Sequence, residues 1–248
     1  MVAVKREVQG VLLILVGGAI ARIVISGAYI NYVKPSMKPY LYVSAAILLA
    51  LGVLALYDAV RAPRTNVARV GAGAGHDHDD GHGHGSMGVA WLLLLPVAAV
   101  FLVAPGPLGA YTATREASSV SQPKAGELMP PLPPGDPVPV PLDSYATRAV
   151  WDDGRTLEGR TVELIGFVAP SPEGDGWQLT RLALACCAAD TVPVKVQPVG
   201  DVPDLPANTW VAVTGRYQPG GGTQSATAVP WVEVDRIVPI QPPAEPYL

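Results

Sequence analysis

Apolar residues follow two rhythms along this chain: long runs with few interruptions before residue 105, and short alternating runs after residue 159. A hydrocarbon core about 30 Å thick is crossed by roughly 20 apolar residues in a helix, because lipid offers no partner to an exposed backbone N–H or C=O. Three runs meet this need and predict three transmembrane helices, over residues 8–30, 40–57 and 87–104. The first is interrupted only by Gln9, Arg22 and Ser26, and the third carries Pro96, which is expected to kink it. The first run also resembles a cleaved signal peptide, with Lys5 and Arg6 before it and Ala19-Ile20-Ala21 as a cleavage-like site. Apolar residues continue to Ile30, so an uncleaved helix is the better account.

Arg22 is the strong polar residue within these runs, and it has two readings. Its stem snorkels to the nearer interface, or it faces a partner helix or polar pathway. Gly17, Gly18 and Ala21 nearby would let another helix approach closely. Basic residues set the expected orientation: Lys5, Arg6, Arg61, Arg64 and Arg69 lie to one side of the first two runs, against Lys34 and Lys38 in the loop between them. The amino terminus is then cytoplasmic, and a third crossing puts the remainder outside.

Residues 106–142 lose the apolar period and gain proline, including Met129-Pro130-Pro131-Leu132-Pro133-Pro134. That composition predicts an extended, semi-rigid linker. A short helix is expected from Asp143, a plausible N-cap, through Trp151. Alternation and turn residues then place strands at 161–169, 177–187, 191–196, 209–217 and 229–240. Five short strands predict a small barrel over 143–248, with the oligonucleotide-binding (OB) type as the first choice. The fold class expected is an α+β membrane protein: three transmembrane helices followed by a small all-β OB-like barrel.

Composition supports the membrane half: 49% of the 248 residues are hydrophobic and only 15% charged, against about 25% charged in an average soluble chain. Charge argues against a nucleic-acid partner. Residues 143–248 carry thirteen acidic and seven basic side chains, a net charge of -6 that repels a phosphate backbone. Trp177, Trp210 and Trp231 are therefore read as packing residues rather than base-stacking platforms. With two cysteines in the chain, adjacent in sequence, a disulfide framework is excluded.

Two constellations carry candidate chemistry. All four histidines fall in residues 76–84, where His76, His78, His82 and His84 alternate with Asp77, Asp79 and glycines. Imidazole and carboxylate suit zinc, copper or nickel, and the flexible loop suits transient capture of an ion better than catalysis. A solvated polar loop of chance composition is the alternative. The second constellation is Cys186-Cys187-Ala188-Ala189-Asp190 at a predicted strand end. On a regular strand the two thiols point to opposite faces and are poorly placed to grip one ion together. A packing cysteine, a thiolate and Asp190 in a metal or partner site, and a redox pair all remain open. No histidine stands in 143–248 to activate a thiol, and no serine triad or phosphate loop is found.

The layout resembles the YcgQ-type family of bacterial membrane proteins. The resemblance rests on the hydrophobic amino-terminal half, the histidine-rich loop, the stretch from Gly159 to Val168, the Cys186-Cys187-Ala188-Ala189-Asp190 element, the Trp210 to Gly215 strand and the terminal Pro246-Tyr247-Leu248. It implies a subunit of a two-component permease, with a separate multi-span permease as partner and a link to zinc or other divalent-metal homeostasis. The expected function is a non-enzymatic accessory membrane subunit in divalent-metal transport, holding zinc or a similar ion transiently. The rivals are a stand-alone membrane metal sensor or buffer, and an extracytoplasmic thiol oxidoreductase using Cys186 and Cys187.

Overall fold

The computed structural model describes residues 6–61, 106–124, 129–172, 174 and 176–248. These form two compact units, one built around the first helices and the other comprising residues 30–34 with 107–248.

In the first unit, α1 (Arg6–Ile25) and α2 (Lys38–Arg61) pack against each other. Both are long and apolar enough to cross a membrane. The expected first run is helical only to Ile25, after which the chain turns through a short 3-10 segment, Ala28–Asn31. The second helix extends past both ends of the run expected at 40–57. The third expected span, residues 87–104, lies outside the described residues, and among the described residues two helices are long and apolar enough to cross a membrane.

The contact between α1 and α2 sets glycines of one helix against aliphatic side chains of the other: Gly10 against Leu56, Gly17 against Leu48 and Leu49, and Gly52 against Ile14. A Cβ on Gly52 would stand 2.7 Å from Ile14 Cγ1 and 2.9 Å from the Gly10 carbonyl oxygen, so only glycine lets the backbones come this near. The buried positions along the two helices are Gly10, Gly17, Ala19, Val24, Ala45 and Gly52; Ile14, Leu48, Leu49 and Leu56 are half-buried against the facing helix, and aliphatic residues such as Val11, Leu15, Ile25, Ile47, Leu51 and Leu54 are exposed. Gly17 takes part in the close contact as its sequence context suggested; Gly18 faces open space. Arg22 is exposed in the last turn of α1, the end to which a snorkelling stem would reach.

The second unit is a closed five-stranded barrel with additions. Its strands are β2 (Thr161–Pro170), β3 (Trp177–Ala183), β4 (Val192–Val199), β5 (Trp210–Gln218) and β6 (Trp231–Pro239). Neighbours run in the order β2-β3-β4-β6-β5, and β5 pairs back onto β2 to close the ring; β4 and β6 are parallel, the other barrel pairs antiparallel. Closure is possible because β2 serves two partners, β5 from Thr161 to Phe167 and β3 from Phe167 to Pro170. At Gly166, just before the change of partner, a Cβ would sit 2.7 Å from the Thr180 carbonyl oxygen. Val162, Leu164, Leu179, Val196, Val211, Val213 and Val232 fill the interior.

The proline-rich stretch expected to be a free linker is packed into this unit over its described residues. Val138 and Pro139 form β1, parallel to β2 at Val162 and Glu163. Val120, Val138 and Val140 are buried in the barrel's main core. Arg148 Nη2 donates to the Pro130 carbonyl, and Arg160 Nη2 to the carbonyls of Pro133 and Gly135. Polyproline geometry leaves carbonyls unpaired, and these guanidinium groups satisfy them. Ala110–Ala113 adds a one-turn helix, α3, whose Ala110 and Ala113 are buried beside Phe167 and Leu182.

The expected helix is α4 (Leu142–Trp151), with Pro141 rather than Asp143 in the cap position. Asp143 lies in the first turn, where its carboxylate accepts from the Ser144 N–H and complements the helix dipole. Leu142, Tyr145, Ala146, Ala149 and Val150 pack one face of α4 onto the core. Tyr145 donates its hydroxyl proton to the Trp231 carbonyl at 2.5 Å, which offsets the cost of burying a phenol.

Candidate metal centre

The strand expected over 177–187 ends four residues earlier, at Ala183. Alternation of strand side chains therefore does not apply to the cysteines, and the expectation that they diverge is corrected. Cys186 and Cys187 lie in the turn between β3 and β4, followed by one 3-10 turn, Ala188–Asp190. Cys186 is exposed, Cys187 is half-buried, and both are free thiols. The turn folds back so that one sulfur from each cysteine and a carboxylate oxygen of Asp190 all lie within 4.8 Å of one another.

Asp190 is the organiser of this turn. Its Oδ1 accepts from the Ala185 N–H at 3.1 Å and its Oδ2 from the Cys186 N–H at 2.8 Å, with the Cys187 N–H 3.3 Å from both oxygens. Three consecutive amides converge on one carboxylate, in the manner of a reciprocal helix cap. The Cys186 thiol also donates to Asp190, and this bond, with help from the backbone amides, holds the Asp190 carboxyl below the usual aspartate range. The same bond, with a second from Cys187, pushes the Cys186 thiol up to about 11. In the metal-free protein Cys186 is thus a protonated thiol near neutral pH, the opposite of an activated nucleophile.

A second piece of chain braces the turn. Val33 pairs with Cys187 in an antiparallel bridge; the Lys34 N–H donates to the Cys186 carbonyl at 3.2 Å and the Ala188 N–H to the Tyr32 carbonyl at 2.7 Å. Tyr247 anchors this piece: its hydroxyl donates to the Asn31 carbonyl and accepts from the Leu108 N–H, both at 2.9 Å. Tyr247 itself bridges to Leu182 of β3, and the Leu248 N–H donates to the Leu182 carbonyl. Sequence reasoning missed Tyr32–Lys34 and Tyr247 as parts of the site, because they reach it across more than 60 residues of chain and no local pattern marks the pairing.

Two sulfurs and a carboxylate form a donor set suited to zinc and other thiophilic divalent ions. Sulfurs bound to one tetrahedral zinc at about 2.3 Å each lie about 3.8 Å apart, so from a separation within 4.8 Å a loaded site needs a contraction of no more than about 1 Å. Side-chain rotation on an exposed turn meets that need. The residues present fit such an ion, and three ligands leave a fourth position for solvent or for a ligand from another chain. The histidine cluster, His76, His78, His82 and His84 with Asp77 and Asp79, lies outside the described residues. Away from the cysteine turn, a concavity of about 540 Å³, bordered by Trp151, Thr156 and Gln224, holds an Arg155–Asp152 ion pair at 2.8 Å in which each charge already has its partner.

These features define a class of protein: two helices apolar enough to cross a membrane, and a closed barrel bearing an exposed thiol and carboxylate cluster on a braced turn. Residues 8–118 match the DUF1980 N-terminal domain and residues 147–248 the DUF1980 C-terminal domain, and the chain belongs to the DUF1980 family. No curated protein and no solved structure matches the chain.

Proposed function

We propose that this protein is a non-enzymatic accessory subunit of a multi-span permease, and that its barrel captures a thiophilic divalent ion such as zinc at Cys186, Cys187 and Asp190 and passes it on. The observation that carries this reading is the convergence of two free thiols and a carboxylate within 4.8 Å on an exposed turn. An open three-ligand set suits exchange better than permanent structural binding, which closes all four positions. The resemblance to YcgQ-type proteins supports the permease partner, and so does the amino-terminal unit, whose pair of helices lacks the polar lining that an ion path needs. A thiol oxidoreductase is disfavoured by the raised position of Cys186.

The pairing of Tyr32–Lys34 with Cys186–Ala188 also supports an orientation. If α1 and α2 both cross the bilayer, the segment joining them and the barrel it pairs with share one side. The basic residues assign that side to the exterior. The strand order, with β4 and β6 parallel, supports reading the barrel as OB-type by topology alone.

The test is zinc binding by the full-length protein in mild detergent, with pull-down from the native membrane as a second arm. The wild type is expected to bind one ion through the thiols, to lose it in Cys186→Ser and Cys187→Ser, and to co-purify with a multi-span membrane protein. Zinc binding unchanged by both substitutions would remove the site, and recovery of the protein alone would remove the partner.

A further inference from the structure

The brace on the cysteine turn is of an unusual kind. Lys34 N–H and Tyr32 C=O bond the backbone on either side of Cys187, so the ligand residue sits inside a two-bond ladder. This is the non-hydrogen-bonded type of antiparallel pair, in which the two facing residues stand closest and their side chains share a face. The carbonyl taken up belongs to Cys186, itself a proposed ligand, and the amide to Ala188, the first residue of the turn that ends in Asp190. The backbone joining the three donor side chains is thus held from inside by Asp190 and from outside by Tyr32–Lys34.

We infer that Tyr32–Lys34 is a positioning element of the cysteine site, and that ion loading and the order of this segment are thermodynamically linked. The inference rests on the metal-binding reading above and adds a partner within the chain to it. Loading draws the donor atoms together and fixes the Cys186–Cys187 backbone, which strengthens the two bonds made to that backbone. Linkage is reciprocal, so weakening the segment weakens the ion by the same factor. Tyr247 acts one step further out, through its bond to the Asn31 carbonyl. In the chain, residues 32–34 lie between α1 and α2, so the state of the site is registered in the connection between the two apolar helices.

Amide hydrogen exchange on the full-length protein in detergent, with and without zinc, tests this. Zinc is expected to slow exchange at the Lys34 and Ala188 amides at least tenfold, and the effect is expected to vanish in a Cys186→Ser, Cys187→Ser double variant. Lys34→Pro removes the donor to Cys186 and is expected to lower zinc affinity about tenfold with the barrel's melting temperature unchanged. Tyr247→Phe is expected to act in the same direction by a smaller factor, which keeps the test alive should the proline disturb folding. Zinc bound by the wild type with exchange unaltered, and with both variants at wild-type affinity, would overturn the linkage while leaving the site intact. Absence of zinc binding in the wild type would overturn the site reading, and the linkage with it.

Discussion

The helix pair and the barrel use the same aliphatic residues in opposite ways. In α1 and α2 the buried positions are nearly all glycine or alanine, and many of the large side chains face out: Ile25 is 75% and Val60 86% exposed. In the barrel the valines and leucines of β2, β3 and β5 are wholly buried. Water would penalise the first arrangement by about 25 cal/mol for each Å² of apolar surface left exposed, whereas lipid does not. In a bilayer the contact between helices gains from close packing of small residues rather than from removing leucine from solvent. The low burial of α1 and α2 is what a lipid-facing pair requires, whereas the barrel core excludes solvent from its aliphatic residues.

That contrast can be broken most severely in the barrel. Leu164→Ala removes a fully buried side chain from β2 and is expected to cost about 2–5 kcal/mol, read as a fall in the denaturation midpoint of the carboxy-terminal unit. Next comes Gly52→Leu, whose side chain would enter the space of Ile14 and the Gly10 backbone. Overpacking of this kind is expected to cost roughly 1–3 kcal/mol, seen as loss of a cysteine cross-link engineered between the two helices. Leu51→Ala in α2, by contrast, deletes an outward side chain and is expected to change detergent-phase stability by less than about 0.5 kcal/mol. If Leu51→Ala cost as much as Leu164→Ala, the outward face would be packed against protein and the comparison would fail.

The cysteine turn offers an effect between the last two in size. Asp190 holds the Cys186 proton, so Asp190→Asn is expected to lower the thiol from about 11 and speed its alkylation at pH 8 about tenfold. The sign of the pH dependence follows. Folding raises the thiol above its ordinary value of 9.0, so stability from the thiol–carboxylate bond is present below pH 9.0 and lost as pH rises through about 11. The alkylation rate against pH, in wild type and variant, checks both statements.

Much of this architecture was legible in the chain, for identifiable reasons. Continuous apolar runs marked α1 and α2, and alternation marked β2 and β5 within a residue or two, because in each the local period and the tertiary environment agree. The cysteines were misplaced because Leu182 to Leu184 continue an apolar pattern past Ala183, where pairing with β4 stops. Proline content suggested a free linker, whereas Val120, Val138 and Val140 supply the apolar anchors that dock it. Asp190 was legible as a companion of the thiols, but its three backbone amides were not, since they depend on a turn that propensity does not specify. The partners from residues 31–34 and Tyr247 depend on contacts remote in sequence, which no periodicity reports.

The central claim is that Cys186 and Cys187 jointly hold an ion, and the direct measurement is cadmium titration of the full-length protein followed by ultraviolet thiolate-to-metal absorption. That band reports sulfur ligation and is blind to imidazole, so His76, His78, His82 and His84 do not contribute to it. The account predicts a band that saturates at one ion per chain, falls to about half its intensity in either single serine variant and disappears in the double variant. A wild-type protein that binds cadmium without the band, or a band that survives loss of both cysteines, would contradict it.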